Sequence, residues 1–247
     1  MKITEITTND VGVGGTTGEV EIEKGIGALM IAATSVQTVL DARIRVWIES
    51  QNGVDEIIDD VSVMDALLMG VFGDSALQSE GVIECIGRIP LTKDGGAISL
   101  LPQQKIKMEV KGLYTGAAHK FMLYGTEEPL YTSQVRLYEK RNLTVDQTSV
   151  DLNVLGFDML VIPYSQHITE IQLTWSNGST TRHTLFELMV DSKSIDPIQY
   201  VKVDGTVGAE FSRIFIPLSN EHSGIRISSV NFRKVSGNAL QIALRQE

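Results

Sequence analysis

Several features that mark large classes of protein are missing from this sequence of 247 residues. Its single cysteine, Cys85, excludes internal disulfide bridges and a cysteine-based metal cluster, and we expect it to fill space within a strand. No stretch contains about 20 consecutive apolar residues, the length that a transmembrane helix requires. The first residues also lack the basic and then apolar order of a signal peptide. We therefore expect a protein that is made in the cytoplasm and stays soluble.

Basic residues are also scarce, since 21 lysines and arginines against 31 aspartates and glutamates give a net charge of −10. Nucleic-acid binders normally present a basic surface, because much of their affinity comes from contacts with phosphates. An acidic chain is likewise poorly suited to docking unaided on an anionic membrane. We expect no direct nucleic-acid partner and no transmembrane segment.

The second half of the sequence repeats the pattern of the first. The offset between matching positions falls only from 127 residues (Ile44 to Ile171) to 121 (Ile106 to Ile227). The matching segments are Arg43–Ile48 with Glu170–Trp175, Val61–Met69 with His183–Val190, Arg88–Leu91 with Ile214–Leu218, Lys105–Val110 with Ile225–Phe232, and His119–Gly125 with Ala239–Arg245. Their order never changes, so the pattern indicates an internal duplication of one domain.

Most of these segments have the alternation of apolar and polar residues that predicts β-strands. The pairs Asn52-Gly53 and Asn177-Gly178 predict tight hairpin turns, because both residue types tolerate positive φ. Pro90 and Pro217 occupy matching positions in apolar segments of the two halves. We expect both at a strand end or edge, since proline cannot donate to a sheet ladder.

Each half also predicts one short helix. Ser62 and Asp65 in the first half, and Thr184 and Glu187 in the second, have the hydroxyl-to-carboxylate spacing of an N-terminal cap. The apolar residues that follow, Leu67–Met69 and Leu188–Val190, are expected to seal each helix against its sheet.

A polar segment with a proline, Gly125–Leu130, lies at half the length and predicts the seam between two domains, 1–128 and 129–247. A domain of this size with many strands and a short helix favours a β-sandwich. The sequence therefore predicts an all-β protein of two tandem jelly-roll sandwiches, because a jelly roll hides most sheet edges and leaves room for helices in its loops.

Residues that could support catalysis do not form a familiar site. The four histidines, His119, His167, His183 and His222, occupy unmatched positions in the two halves. A two-domain cupin enzyme would need a closely spaced His-x-His, which neither half contains. The G-x-S-x-G motif of serine hydrolases is also absent. We expect no catalytic residues and no enzyme activity.

The densest acidic group consists of Asp55, Glu56, Asp59 and Asp60, just after the first predicted hairpin. Clustered carboxylates in loops suit hard cations such as calcium. This group lacks the regular spacing of a calcium loop, and the second half has Ser179–His183 in its place. We favour a solvated loop and keep the four residues as weak candidates for a structural calcium site. No other cofactor is expected.

Taken together, the repeated order of strand, Asn-Gly turn, capped helix, proline-containing strand and two closing strands resembles a known family. It is similar to the double jelly-roll major capsid proteins of tailless icosahedral viruses with an internal membrane, and most of all to the corticovirus type. Ile168–Ser194 carries the resemblance best, and Ile225–Arg245 is similar in layout.

The resemblance implies a structural protein of a bacteriophage virion, assembled in the host cytoplasm. Two jelly rolls would stand side by side, and three chains would form a homotrimer that packs as a pseudo-hexamer. The partners would be neighbouring capsomers and other capsid or membrane proteins of the virion. The base of each capsomer would face the internal membrane.

The alternative is a two-domain β-sandwich that binds carbohydrate, such as a virion spike protein. Trp47 and Trp175 could stack on sugars if they were exposed. Aromatic residues make up only 6% of the chain, which is low for a sugar binder, and we favour core packing for both tryptophans.

Overall fold

The computed structural model describes residues 1–7, 15–71, 78–114, 119–163, 165–195, 213–219 and 224–246. These residues form two compact units, and the chain leaves unit 1 after Glu139. The predicted seam lies earlier, after residue 128. The additional residues stay with unit 1 because Tyr131 and Thr132 pair with Ala97 and Ile98.

Unit 1 contains eleven strands and one α-helix among its described residues. They are β1 (Lys2–Thr7), β2 (Val20–Ile22), β3 (Ala28–Ala33), β4 (Arg43–Ser50), β5 (Gly53–Ser62), α1 (Val63–Val71), β6 (Gln78–Glu80), β7 (Ile83–Pro90), β8 (Ala97–Ile98), β9 (Lys105–Lys111), β10 (Lys120–Gly125) and β11 (Tyr131–Thr132). A 3₁₀ turn covers Val36–Thr38.

Eight of these strands are arranged as four nested antiparallel pairs: β1 with β10, β2 with β9, β3 with β7, and β4 with β5. The first strand thus pairs with the eighth, the second with the seventh, the third with the sixth and the fourth with the fifth. One sheet has the order β1-β10-β3-β7-β6, and in the other β5, β4, β9 and β2 lie side by side. This nesting is the jelly-roll arrangement.

Strand β12 (Tyr138–Leu143) crosses the boundary between the units. The other described elements of unit 2 are β13 (Ser149–Asn153), β14 (Met159–Pro163), β15 (Ile168–Trp175), β16 (Thr180–His183), α2 (Leu185–Ile195), β17 (Arg213–Pro217), β18 (Ile227–Lys234) and β19 (Leu240–Arg245).

Unit 2 repeats the nesting of unit 1. Strands β13 and β18, β14 and β17, and β15 and β16 pair antiparallel, and β19 lies beside β12. The side-by-side orders β17-β14-β19-β12 and β13-β18-β15-β16 match those of the eight nested strands of unit 1. In both units a helix lies between the fifth and the sixth nested strand. The predicted pair of jelly rolls, each with a short helix, is confirmed.

The predicted alternation also holds in detail. On β9, Ile106, Met108 and Val110 are buried, whereas Lys105 and Lys107 point away from the core. Burial of such apolar faces contributes about 25 cal/mol for each Å² removed from water and is the main force that holds each unit together. Cys85, on β7, is fully buried as predicted, and burial raises the pKa of its thiol to about 12.

Both prolines lie at strand ends, as predicted, and mark the same backbone junction. In unit 1, β7 ends at Pro90, and the next amide, of Leu91, donates to the Gly27 carbonyl (2.9 Å). The Gly27 amide in turn donates to the Thr126 carbonyl (3.0 Å).

Unit 2 repeats this junction with one addition. Strand β17 ends at Pro217, the Leu218 amide donates to the Asp158 carbonyl (2.8 Å), and the Asp158 amide donates to the Arg245 carbonyl (2.9 Å). The side chains of Asp158 and Arg245 also form a two-pronged ion pair, with Nη2 to Oδ2 at 2.6 Å and Nε to Oδ2 at 3.0 Å. This nearly buried pair joins the residue before β14 to the end of β19.

The hairpin predictions need correction. Ser50 pairs directly with Gly53, so the first loop is Gln51 and Asn52 rather than Asn52 and Gly53. Gly53 nevertheless has a positive φ of 147° as the first residue of β5. In the second hairpin the Gly178 amide donates to the Trp175 carbonyl (2.9 Å), and Gly178 has a φ of 83°. This is a three-residue loop in which glycine supplies the left-handed position.

The helix caps are confirmed, although they differ in quality. The Ser62 Oγ accepts a hydrogen bond from the Asp65 amide at 3.4 Å, which is long. In α2 the exchange is reciprocal: the Thr184 amide donates to Glu187 Oε2 (2.7 Å), and the Glu187 amide donates to Thr184 Oγ1 (3.2 Å). The Thr184 amide and, at 3.0 Å, the Thr184 hydroxyl both donate to the Glu187 carboxylate, and these two hydrogen bonds lower the pKa of Glu187.

Candidate assembly surfaces

The predicted acidic group does not lie in a loop. Asp55, Glu56, Asp59 and Asp60 all belong to strand β5, which corrects the expectation of a solvated loop. The sequence misled because acidic residues are uncommon in strands. Here they are tolerated because arginines of the neighbouring strand β4 are available as partners.

Two of the four carboxylates are paired with arginine. The Arg43 Nε donates to Asp60 Oδ2 at 3.1 Å, and the Arg45 guanidinium binds Glu56, whose hydrogen bond raises the pKa of Arg45. In the described part of the chain, no group of three or more His, Cys, Asp or Glu side chains is placed to hold a metal ion.

The outer surface of the sheet that contains β9 and β4 is covered by ion pairs. The Lys107 ammonium lies 2.6 Å from Glu19 and 2.7 Å from Glu49, and these contacts raise the pKa of Lys107. Lys105 binds Glu21 beside it. Three carboxylates thus face two lysines, so this surface is not basic and does not favour a nucleic acid as its ligand.

Trp47 is held within this charged surface. Its ring lies under the Arg45 guanidinium, 4.7 Å from the ring centroid, and only 6% of the residue is exposed. Trp175 is partly buried against the core of unit 2, and its indole N–H donates to Thr181 Oγ1 at 3.2 Å. Packing in or against the core is thus observed for both tryptophans, and Trp47 is too buried to stack on a sugar.

The described histidines lie on separate elements. His119 precedes β10 with its ring 6.0 Å from the ring of Tyr114, His167 precedes β15, and His183 ends β16. The His183 Nε2 hydrogen-bonds to Thr181 Oγ1 at 3.0 Å. The fourth, His222, lies outside the described residues.

Helix α2 differs from α1 in a way that the sequence analysis missed. In α1, every residue from Val63 to Met69 is buried. In α2, among residues 185–192, whose burial the structure describes, only Leu185, Leu188 and Ser192 are buried, and the Ser192 Oγ accepts the buried Phe215 amide at 3.0 Å. The prediction that Val190 faces the sheet is wrong.

The helical period explains the correction, because positions 185, 188 and 192 share one face and 186 and 190 share another. Phe186 and Val190 are 62% and 49% exposed. With His183, Glu187 and Asp191 they line an open groove of about 400 Å³, which we call the α2 groove.

Unit 1 also exposes large apolar side chains. Leu101, Leu130 and Tyr131 are 66%, 75% and 69% exposed. Leu130 and Tyr131 are adjacent in the chain and lie beside Ala97, whose amide donates to the Leu130 carbonyl (2.7 Å). Exposed apolar side chains that lie together commonly mark interaction surfaces.

No family model matches the sequence, and no curated protein matches it. Among solved structures, the major capsid protein P2 of bacteriophage PM2 is similar over 99% of this chain and 96% of its own length, with a TM-score of 0.58 and 9% identity. This chain has a double jelly-roll capsid-protein fold.

The major capsid protein of mavirus also aligns, over 100% of this chain and 86% of its own, but its TM-score is 0.31 at 8% identity, too low to support an argument. The double jelly roll is thus established by the strand order of both units and by the full-length likeness to P2. No helix in the described ranges is long and apolar enough to cross a membrane.

Proposed function

We propose that this double jelly-roll protein is a viral major capsid protein. The observation that carries the proposal is the likeness to the PM2 capsid protein along almost the whole of both chains. A partial match could reflect a single common sandwich. A match over two jelly rolls in tandem is a likeness in both domains and in their order along the chain.

We further propose that three chains form a trimeric capsomer of an icosahedral shell. A duplicated chain suits this role, because three chains then supply six similar domains and can pack in a hexagonal lattice. The function would lie in surfaces between copies rather than in a catalytic pocket. Both units expose large apolar side chains, such as Tyr131 in unit 1 and Phe186 in unit 2, and such side chains are what an assembly surface requires.

The expected internal membrane, phage host and assembly in the host cytoplasm remain proposals that rest on the family resemblance. We expect no cofactor. Calcium is disfavoured at Asp55, Glu56, Asp59 and Asp60, because arginines already bind two of the four carboxylates. Isothermal titration with calcium would check this, and the expected result is no binding heat at millimolar concentrations.

The test of the capsid proposal is the mass of the purified native protein by light scattering after size exclusion. A trimer of 27.1 kDa chains has a mass of about 81 kDa and should persist on dilution. A monomer across a wide concentration range would contradict the proposal. Flotation with liposomes, with and without anionic lipid, would then test the membrane contact.

A further inference from the structure

Each unit carries an Asn-Gly pair in a hairpin loop, Asn52-Gly53 in unit 1 and Asn177-Gly178 in unit 2. An asparagine side chain can lose ammonia when the backbone nitrogen of the next residue attacks it, and a following glycine leaves that nitrogen accessible because it has no side chain. All four residues are exposed, so water reaches both sites. The two sites differ in how firmly the asparagine is held.

The loop of unit 2 holds its asparagine in place. The Asn177 Oδ1 accepts hydrogen bonds from the Ser179 amide (3.0 Å) and from the Ser179 hydroxyl (2.7 Å). The Gly178 amide donates to the Trp175 carbonyl (2.9 Å). The side chain and the backbone nitrogen that would have to meet it are therefore both engaged elsewhere.

The loop of unit 1 holds its backbone but not its asparagine side chain. The Ser50 hydroxyl accepts a hydrogen bond from the Asn52 amide (3.3 Å) and donates to the Gly53 carbonyl (3.2 Å). Among the residues that the structure describes, no hydrogen bond holds the side-chain amide of Asn52. Residues 51–55 are all exposed, so the Asn52 amide is free to rotate toward the nitrogen of Gly53.

We propose that Asn52 is a site of spontaneous deamidation and that Asn177 is protected from the same reaction. The Gly53 nitrogen gives its proton to water and bonds to the side-chain carbonyl carbon of Asn52. The bond from that carbon to Nδ2 breaks, and the nitrogen takes up a proton and leaves as ammonia. Water then opens the succinimide ring at either carbonyl and leaves aspartate or isoaspartate. This inference is independent of the capsid proposal, since it needs only water as a reactant.

Both products change the hairpin of β4 and β5. Each adds a negative charge to a loop that Glu49 and Asp55 already flank. Isoaspartate also places an additional methylene in the main chain, in a two-residue loop whose length sets the register of the two strands. The reaction therefore alters the end of this hairpin as the protein ages.

The test follows both sites in one sample. The native protein is incubated at mildly alkaline pH and digested at acidic pH, and the two peptides are quantified by mass spectrometry, since each event adds about 1 Da. Asn52 should react about tenfold faster than Asn177 or more, because the hydrogen bonds of Asn177 and Gly178 must break first. In concentrated urea the two rates should be similar, since both loops are then open.

Two variants test the cause. Ser179→Ala removes the hydroxyl that donates to Asn177, so it should raise the rate at Asn177 about threefold or more and leave the rate at Asn52 as it was. Asn52→Gln should remove the mass gain from the first peptide. A mass gain that persists there would place the reaction at another residue.

The comparison of native and unfolded protein decides between the outcomes. If Asn52 reacts in urea but not in the native protein, the first hairpin is not a modification site. If both sites react equally fast in the native protein, or if Ser179→Ala has no effect, the hydrogen bonds of Asn177 do not protect it and the proposed difference is wrong.

Discussion

Breaking the ion pair between Asp158 and Arg245 should cost far more stability than breaking the other ion pairs of the described residues, and the loss can be worked out from the geometry. Both side chains are nearly buried, with 11% and 12% of their surfaces exposed. The guanidinium reaches the carboxylate through Nε and Nη2, so the contact is two-pronged. The substitution Asp158→Asn keeps the shape and removes the charge that balances Arg245.

Removing one partner of a buried pair costs about 3–5 kcal/mol, because the remaining charge is left without compensation. Slight exposure and the acceptor oxygen of asparagine place the expected loss at the lower end, about 3 kcal/mol. With an m-value of about 2 kcal/mol/M in urea, the midpoint of unfolding should fall by about 1.5 M. The backbone hydrogen bonds of residue 158 are unchanged by the substitution.

The two tryptophans make the assay specific, because one lies in each unit. In a Trp47→Phe background, the fluorescence of Trp175 reports the unfolding of unit 2. Arg233→Gln is the control in the same unit, since it breaks the more exposed pair with Glu170 (3.5 Å) and should cost less than about 1 kcal/mol.

A second variant checks the cause. If an uncompensated charge is responsible, Asp158→Asn combined with Arg245→Met should be more stable than Asp158→Asn alone. A loss below about 1 kcal/mol for Asp158→Asn would refute the reasoning, because the pair would then behave as an ordinary surface salt bridge.

Four further predictions concern single residues. Gly70→Ala should destabilise unit 1 by about 2 kcal/mol in urea unfolding, because the new Cβ would lie 2.2 Å from the Arg88 carbonyl oxygen. Alanine favours helices, so a stabilised variant would contradict the packing of α1 on β7. Thr184→Ala should cost about 1 kcal/mol. The pKa of Glu187 is lower in the folded state than in the unfolded state, so its contribution to stability is complete above the unfolded-state pKa and is lost as the pH falls through the folded-state pKa. Glu187→Gln should therefore lower the stability at neutral pH and reduce the loss of stability on acidification. An unchanged dependence of stability on acidic pH would argue against the cap. Cys85 should resist thiol reagents at pH 8 in the native protein and react once per chain in urea, because burial raises its pKa to about 12; fast native labelling would place it at the surface.

Much of the fold could be predicted because the duplication tests each pattern twice. The alternation of Arg43–Ile48 gains support from its match at Glu170–Trp175, and both segments lie in strands. The two prolines marked strand ends for a physical reason that holds in any sheet. The caps were found because a hydroxyl and a carboxylate three residues apart satisfy the same free amides wherever they occur.

The errors arise where local pattern and tertiary context compete. The carboxylates of β5 lie in a strand because Arg43 and Arg45 are across from them, and pairing between strands is not visible in a local window. The two loops of the hairpins differ because register, not the Asn-Gly pair alone, decides which residues turn. The exposed face of α2 follows from the helical period, whereas the short apolar run Leu188–Val190 suggested that all three residues pack against the sheet.

The measurement that tests the capsid account most directly is electron microscopy of the purified native protein, with class averages calculated from single particles and from any sheets that form. The account predicts particles of three chains with six similar lobes, which tile edge to edge in a hexagonal lattice. Isolated particles with two lobes, unable to tile at any concentration, would contradict it.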